Sequence, residues 1–203
     1  MATAGEMTKV IAVALGRPQA TVRSYYAVLR KAGLISTTGR GKSAQHLSSL
    51  DVARILIVML SADSLQEGPA VTELVGDMEH LQFNRKEEFL GSIRFEDALA
   101  HVIEFKAAEF HGRMRPECPL LGDLSSENLQ VRVTATHLRG KIIAEDEFWF
   151  QLAEPNLPDM VPPDDWDEIS ERERILVRSV MYGMSVTRAI NEIAISIIAR
   201  AMP

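Results

Sequence analysis

Four side chains in the middle of the chain carry the chemistry to hold a metal: His101, Glu104, Glu109 and His111. His101 and Glu104 stand three apart, so one helix face can present both. A helical zinc site of the protease kind needs two histidines four apart with a glutamate between, and that order is absent. The four read as solvated or hydrogen-bonded helix residues. Cys118 is the single cysteine, set between prolines. It excludes an internal disulfide framework and a cysteine-built zinc site, and nothing in its surroundings marks an activated thiol. Asp159, Asp164, Asp165, Asp167 and Glu168 form an acidic run that lacks the spacing and glycine of a calcium loop. There is no nucleophile elbow, dinucleotide fingerprint or kinase signature. Neither enzyme chemistry nor a cofactor or metal is expected.

The chemistry that does cluster lies near the N-terminus, and it is hydrogen bonding and positive charge. Gln19, Thr21, Arg23 and Ser24 offer side chains that can meet base edges, glutamine suiting adenine and arginine guanine. Arg17, Arg30, Lys31, Arg40 and Lys42 are cations of the kind that anchor phosphates, with Thr38 beside them in the same stretch. Tyr26 suits either a core position or a phosphate contact; its neighbour Tyr25 is the better core residue. The balance of charge supports the same reading. Residues 1–60 hold eight Lys/Arg against Glu6 and Asp51 alone, a net of +6. The chain as a whole is at -6, which leaves -12 on the remainder. A basic head on an acidic body turns its head toward polyanions.

The elements that must position these residues follow from periodicity and punctuation. Thr8 to Leu15 reads as a helix with Thr8 near its N-cap and Val10, Ile11, Ala14 and Leu15 at helical spacing. Gly16 suits a left-handed turn, and Pro18 opens a second helix, where its missing N–H costs nothing. That helix spans Gln19 to Ala32, with Val22, Tyr25 and Leu29 on one face and Gly33 as its stop. Gly33-Leu34-Ile35 then leads into Ser36-Thr37-Thr38-Gly39-Arg40-Gly41-Lys42-Ser43-Ala44. Its two glycines suit a hairpin tip presenting Arg40.

Ala12, Gly16 and Val22 carry a resemblance. Helix-turn-helix regulators favour a small residue in the first helix, a glycine four later, and a β-branched residue six beyond it. The stretch Thr8–His46 resembles a winged helix-turn-helix of the small bacterial or prophage type, with Arg17 a mild departure where the family often has an apolar residue. The resemblance covers about residues 8–60. It implies a recognition helix in the major groove, a basic wing on the backbone or minor groove, and sequence-specific binding of double-stranded DNA by a transcriptional regulator. Winged helices also serve as protein-docking units without DNA contact. An exposed common face of Arg23, Arg40 and Lys42 distinguishes the two.

The expected organisation is a DNA-binding domain over residues 1–62 and an α+β dimerisation or protein-contact domain over 63–203. The fold class is mainly α with small β content. Ser48 with Asp51 forms a capping box opening an apolar helix from Leu50 to Ser61. A loop over Asp63–Pro69, a helix over Val71–Phe83 and a helix over Phe95–Phe110 follow. Leu129–Thr136 alternates as a strand, His137–Lys141 reads as a turn, and Ile142–Leu152 as the second strand of a β-hairpin. A second capping box, Ser170 with Glu173, opens a long C-terminal helix reaching Met202. Its apolar stripe suits core, a homodimer seam, or both. No secretory signal or membrane-length apolar run is visible, so a cytoplasmic, nucleoid-associated protein is expected.

Overall fold

The computed structural model describes residues 3–36, 46–80, 93–114, 116, 129–134, 139–143, 147–151, 175 and 187–202. Among these the chain forms six helices and five strands: α1 (Ala4–Leu15), α2 (Gln19–Lys31), α3 (Ser49–Ser61), α4 (Gly68–Gly76), β1 (Glu79–His80), α5 (Phe95–Phe110), β2 (Gln130–Thr134), β3 (Arg139–Ile143), β4 (Glu147–Gln151), β5 (Thr187–Asn191) and α6 (Glu192–Ala201). The class is α+β, mostly helical, with one antiparallel sheet in the order β1-β4-β3-β2-β5.

The first helix starts a turn earlier than its periodicity suggests. Thr3, not Thr8, is the N-cap, in a reciprocal capping box with Glu6. Thr8 is buried inside the helix, and its hydroxyl donates to the Gly5 carbonyl at 2.9 Å. Both α1 and α2 end on a left-handed glycine, Gly16 at φ 61° and Gly33 at φ 80°. In each case the glycine and its successor donate to orphan carbonyls of the last turn: Arg17 N to Ala12 O at 2.9 Å, Leu34 N to Leu29 O at 3.0 Å. The chain thus reverses sharply after each helix.

Helix α3 is the hub. Eleven of its thirteen residues are buried, from Ser49 through Ser61, as expected of a helix apolar nearly all round. It packs on α2, α4, α5 and the sheet. Its N-terminus carries the capping box of Ser48 and Asp51. At its C-terminus Arg188 of β5 donates to Leu60 O at 3.3 Å and Ala62 O at 3.5 Å, and pairs with Asp63. A cation there satisfies orphan carbonyls and complements the helix dipole.

The sheet buries one face. Val131, Val133, Ile142, Phe150 and Ile190 point into the core. Gly140 lets β3 come close to α5: a Cβ there would lie 2.8 Å from Phe95 Cε2 and 2.9 Å from Met78 Cε. The Phe95 ring meets Phe150 edge-on, centroids 5.2 Å apart. Helix α6 packs on α1 and α5. One hydrophobic core runs from Met7 and Ile11 of α1 through α3 to the sheet and Ile198 of α6. It therefore crosses the expected boundary at residues 62–63.

Five expected elements differ. The helix expected over Val71–Phe83 is α4, which begins at Gly68 with Pro69 in its first turn and stops at Gly76; Glu79–His80 pairs with β4 instead. The start of α4 also shortens the expected loop Asp63–Pro69. The turn expected over His137–Lys141 overlaps β3, and the strand expected over Ile142–Leu152 is two strands, β3 and β4, paired with each other. The long helix expected from Ser170 to Met202 is broken, because Thr187–Asn191 pairs with β2 as a strand. Asn191 then caps a separate helix, accepting from Ala194 N at 3.0 Å. Helical spacing of isoleucines cannot distinguish a continuous helix from a strand followed by one. The capping box Ser170–Glu173 lies outside the described residues.

Candidate nucleic-acid interface

The face of α2 turned away from the core carries the polar set. Val22, Tyr25 and Leu29 are buried, and the opposite face exposes Ala20, Arg23, Ser24, Ala27, Arg30 and Lys31. The 3.6-residue period separates these two sets. Small residues at 20, 24 and 27 leave the backbone of this face approachable, with cations on either side. Arg17 is exposed in the turn before α2. Gln19, Thr21 and Tyr26 are half-buried on the flanks. Among the described residues no carboxylate pairs with Arg17, Arg23, Arg30 or Lys31. Thr38, Arg40 and Lys42 lie outside the described residues.

Ala12 of α1 and Val22 of α2 are both buried, and the two helices pack on each other. Tyr25 is the buried tyrosine of the pair. Its ring packs near Gly68 at the start of α4, where a Cβ would meet Tyr25 Cδ1 at 3.5 Å. Burial, with Glu67 and Asp63 nearby, pushes its hydroxyl pKa up, so it stays neutral.

The residues that hold this unit in place lie on α3, and only one of them carries any sequence signal. Asp51 reads from sequence as the third residue of a capping box, and it does accept from Ser48 N at 3.0 Å. The same carboxylate also accepts from Ser36 N at 3.1 Å and Ser36 Oγ at 2.8 Å. One buried carboxylate thus joins residue 36 to residue 48, the two ends of the glycine- and arginine-containing stretch. One turn on, Arg54 Nη1 donates to Leu34 O at 2.7 Å, just past the end of α2. Its other nitrogens reach Glu96 of α5 at 2.8 and 3.2 Å. Glu96 is buried and also takes Arg94 at 3.0 Å. Gly76 makes room for it, since a Cβ there would touch Glu96 Oε2 at 3.0 Å. The Glu96 carboxylate bonded to Arg54 pushes the arginine pKa further up, so the guanidinium stays charged.

The possible metal ligands disperse onto separate structural tasks. Glu104 accepts from Ser49 Oγ, and His101 Nδ1 lies 3.9 Å from its other oxygen. Glu109 pairs with the buried Lys106 at 3.3 Å, which also reaches Glu192 of α6 at 3.2 Å. His111 Nε2 contacts Met202 O at 3.1 Å. Among the described residues no group of three metal-ligating side chains converges. Cys118 and the acidic stretch 159–168 lie outside them. Among the described residues no helix is long and apolar enough to cross a membrane. Comparisons with protein-family models, curated proteins and solved structures return no match.

Proposed function

We propose that this protein is a sequence-specific double-stranded DNA-binding regulator of the winged helix-turn-helix kind. In this reading α2 is the recognition helix. Arg23 and Ser24, flanked by Gln19 and Thr21, meet base edges in the major groove, and Arg17, Arg30 and Lys31 anchor phosphates. Arg40 and Lys42 act from a wing whose two ends Asp51 holds together. The observation that carries the reading is the outer face of α2: exposed, basic, and unpaired with any described carboxylate, although the rest of the chain is strongly acidic. A docking helix for an acidic protein would share the charge. Small side chains between the cations favour a groove, where backbone and bases come close. A homodimer contacting through the body would place two such helices on a two-fold site, and the cytoplasmic nucleoid is the corresponding location.

The experiment is selection of bound sequences from a random duplex pool, followed by titration of single variants. Enrichment of a defined site, relaxed at one position by Arg23→Ala, is the expected result. Arg40→Ala should instead weaken binding to all sequences and flatten its salt dependence by about one phosphate. A pool that yields no site, with Arg23→Ala binding like the unmodified protein, refutes the reading.

A further inference from the structure

The outer face of α2 has a midline as well as a charge. Residues seven apart fall almost in line along a helix, and Ala20 and Ala27 are such a pair. Both are exposed, and their line lies opposite the buried row of Val22, Tyr25 and Leu29. Arg23 and Arg30 form a parallel row on one side of it, and Ser24 and Lys31 on the other, all four exposed. The face therefore presents two methyl groups, about 10 Å apart by helical rise, between two polar rows.

A helix laid in a major groove brings its midline nearest the groove floor and its flanking rows toward the two phosphate walls. The midline residues therefore decide which base edges are tolerated beneath them. A methyl group neither donates nor accepts a hydrogen bond. Set against N7 and O6 of guanine, N7 and N6 of adenine or N4 of cytosine, it would take a polar edge out of water and return no partner. Thymine alone among the four bases carries a methyl group there, on C5.

We propose that Ala20 and Ala27 recognise thymine C5-methyl groups, so that the duplex site bound by α2 carries two thymines about two to three base pairs apart. The spacing follows from the separation of the two alanines and a rise of about 3.4 Å per base pair, lengthened along the inclined path of the groove. This inference rests on α2 being a recognition helix and adds what that helix selects. Arg23 and Ser24, beside the midline, contact neighbouring base edges, while Arg30 and Lys31 lie on opposite flanks, toward the phosphates of the two strands.

The test takes the duplex selected from a random pool and replaces each thymine in turn by deoxyuridine, which pairs identically and lacks only the methyl group. Binding is read by fluorescence anisotropy. Two positions, about two to three base pairs apart, should each lose about fourfold in affinity, the equivalent of one buried methyl. Ala20→Ser should abolish the loss at one position and Ala27→Ser at the other, each variant binding the two duplexes alike. Both sites are exposed and serine is compatible with a helix, so the melting curves of these variants should stay close to that of the unmodified protein. The inference is overturned if no thymine is sensitive to loss of its methyl, or if the sensitivity survives in both serine variants. In either case a defined site has still been selected, and the reading of α2 as a recognition helix stands. A pool that yields no site overturns that reading, and the inference with it.

Discussion

Asp51 is the residue on which both the fold of the head and its proposed wing depend, and its removal separates the two. The carboxylate accepts three hydrogen bonds, from Ser36 N, Ser36 Oγ and Ser48 N, at 2.8 to 3.1 Å, and is almost fully buried. A hydrogen bond to a charged group contributes about 1.5–3 kcal/mol, and three that share one carboxylate contribute less than their sum. Asp51→Ala should therefore destabilise the protein by about 3–5 kcal/mol, since two N–H groups and a hydroxyl lose their acceptor together. Asp51→Asn keeps one acceptor oxygen but turns an NH₂ toward Ser36 Oγ and Ser48 N, and should cost about 1–3 kcal/mol. Urea unfolding at constant m measures both. The functional consequence is read on duplex DNA under conditions where each variant is folded. If Arg40 and Lys42 act on phosphates as proposed, releasing residues 36 and 48 should flatten the slope of log K against log salt by about 1.8. A destabilised Asp51→Asn that retains the full slope and affinity would show that the carboxylate serves the fold alone, and would remove the argument for a positioned wing.

Three further outcomes follow from the packing and charge. Gly140→Ala forces a methyl group to within 2.8 Å of a fully buried Phe95 ring already set against Phe150, and should lower stability by about 1–3 kcal/mol in a thermal melt. A melt unchanged from the parent would mean that β3 can move off α5. Glu96→Gln leaves Arg54 without its carboxylate and should cost about 1–3 kcal/mol; a double-mutant cycle with Arg54→Met should return a clear coupling energy, and additive effects would argue against a strut. Glu6 is held below the usual carboxylate range by the Thr3 backbone N–H at 2.7 Å and then by its hydroxyl. Its folded pKa is lowered, so its contribution is present above the unfolded glutamate pKa and fades as pH falls through the folded value. Amide exchange in the first turn of α1 should quicken over that acid window, and Glu6→Gln should abolish the dependence.

What the sequence makes legible is what local chemistry determines. Gly16 and Gly33 stand where only a residue without a Cβ turns easily, so the limits of α2 follow from them. Ser48 and Asp51 mark the start of α3, and the run Phe95–Phe110 has the period of a helix along its whole length. The sheet is less legible because its strands are short and its partners remote. Arg139 and Gly140 read as turn residues until Gly140 is seen beneath Phe95, a contact between positions 45 residues apart. Isoleucines at 190, 193, 197 and 198 suit one helix equally well as a strand and a helix, and only pairing with β2 decides. The outer face of α2 can be inferred from periodicity. The pairing of Arg132 with Lys141 cannot, because the two become neighbours only through the register.

The same distinction bears on how the head relates to the body. Its two helices carry local signals that suggest a free-standing unit, yet α1 packs on α6, and α2 on α3 and α4. The polar contacts run the same way. Asp51 and Arg54, one turn apart on α3, reach back to residues 34 and 36 at the exit of α2, while Arg54 reaches forward to Glu96 of α5. Helix α3 is held at its other end by Arg188 of β5. A close-packed core transmits displacement because it has few voids to absorb it. The orientation of α2 is therefore set jointly by its buried face of Val22, Tyr25 and Leu29 and by a strut anchored in the body. Any partner that shifts α5 or β5 would act on the exit of α2 through Arg54 or through the C-terminus of α3, without touching α2 itself.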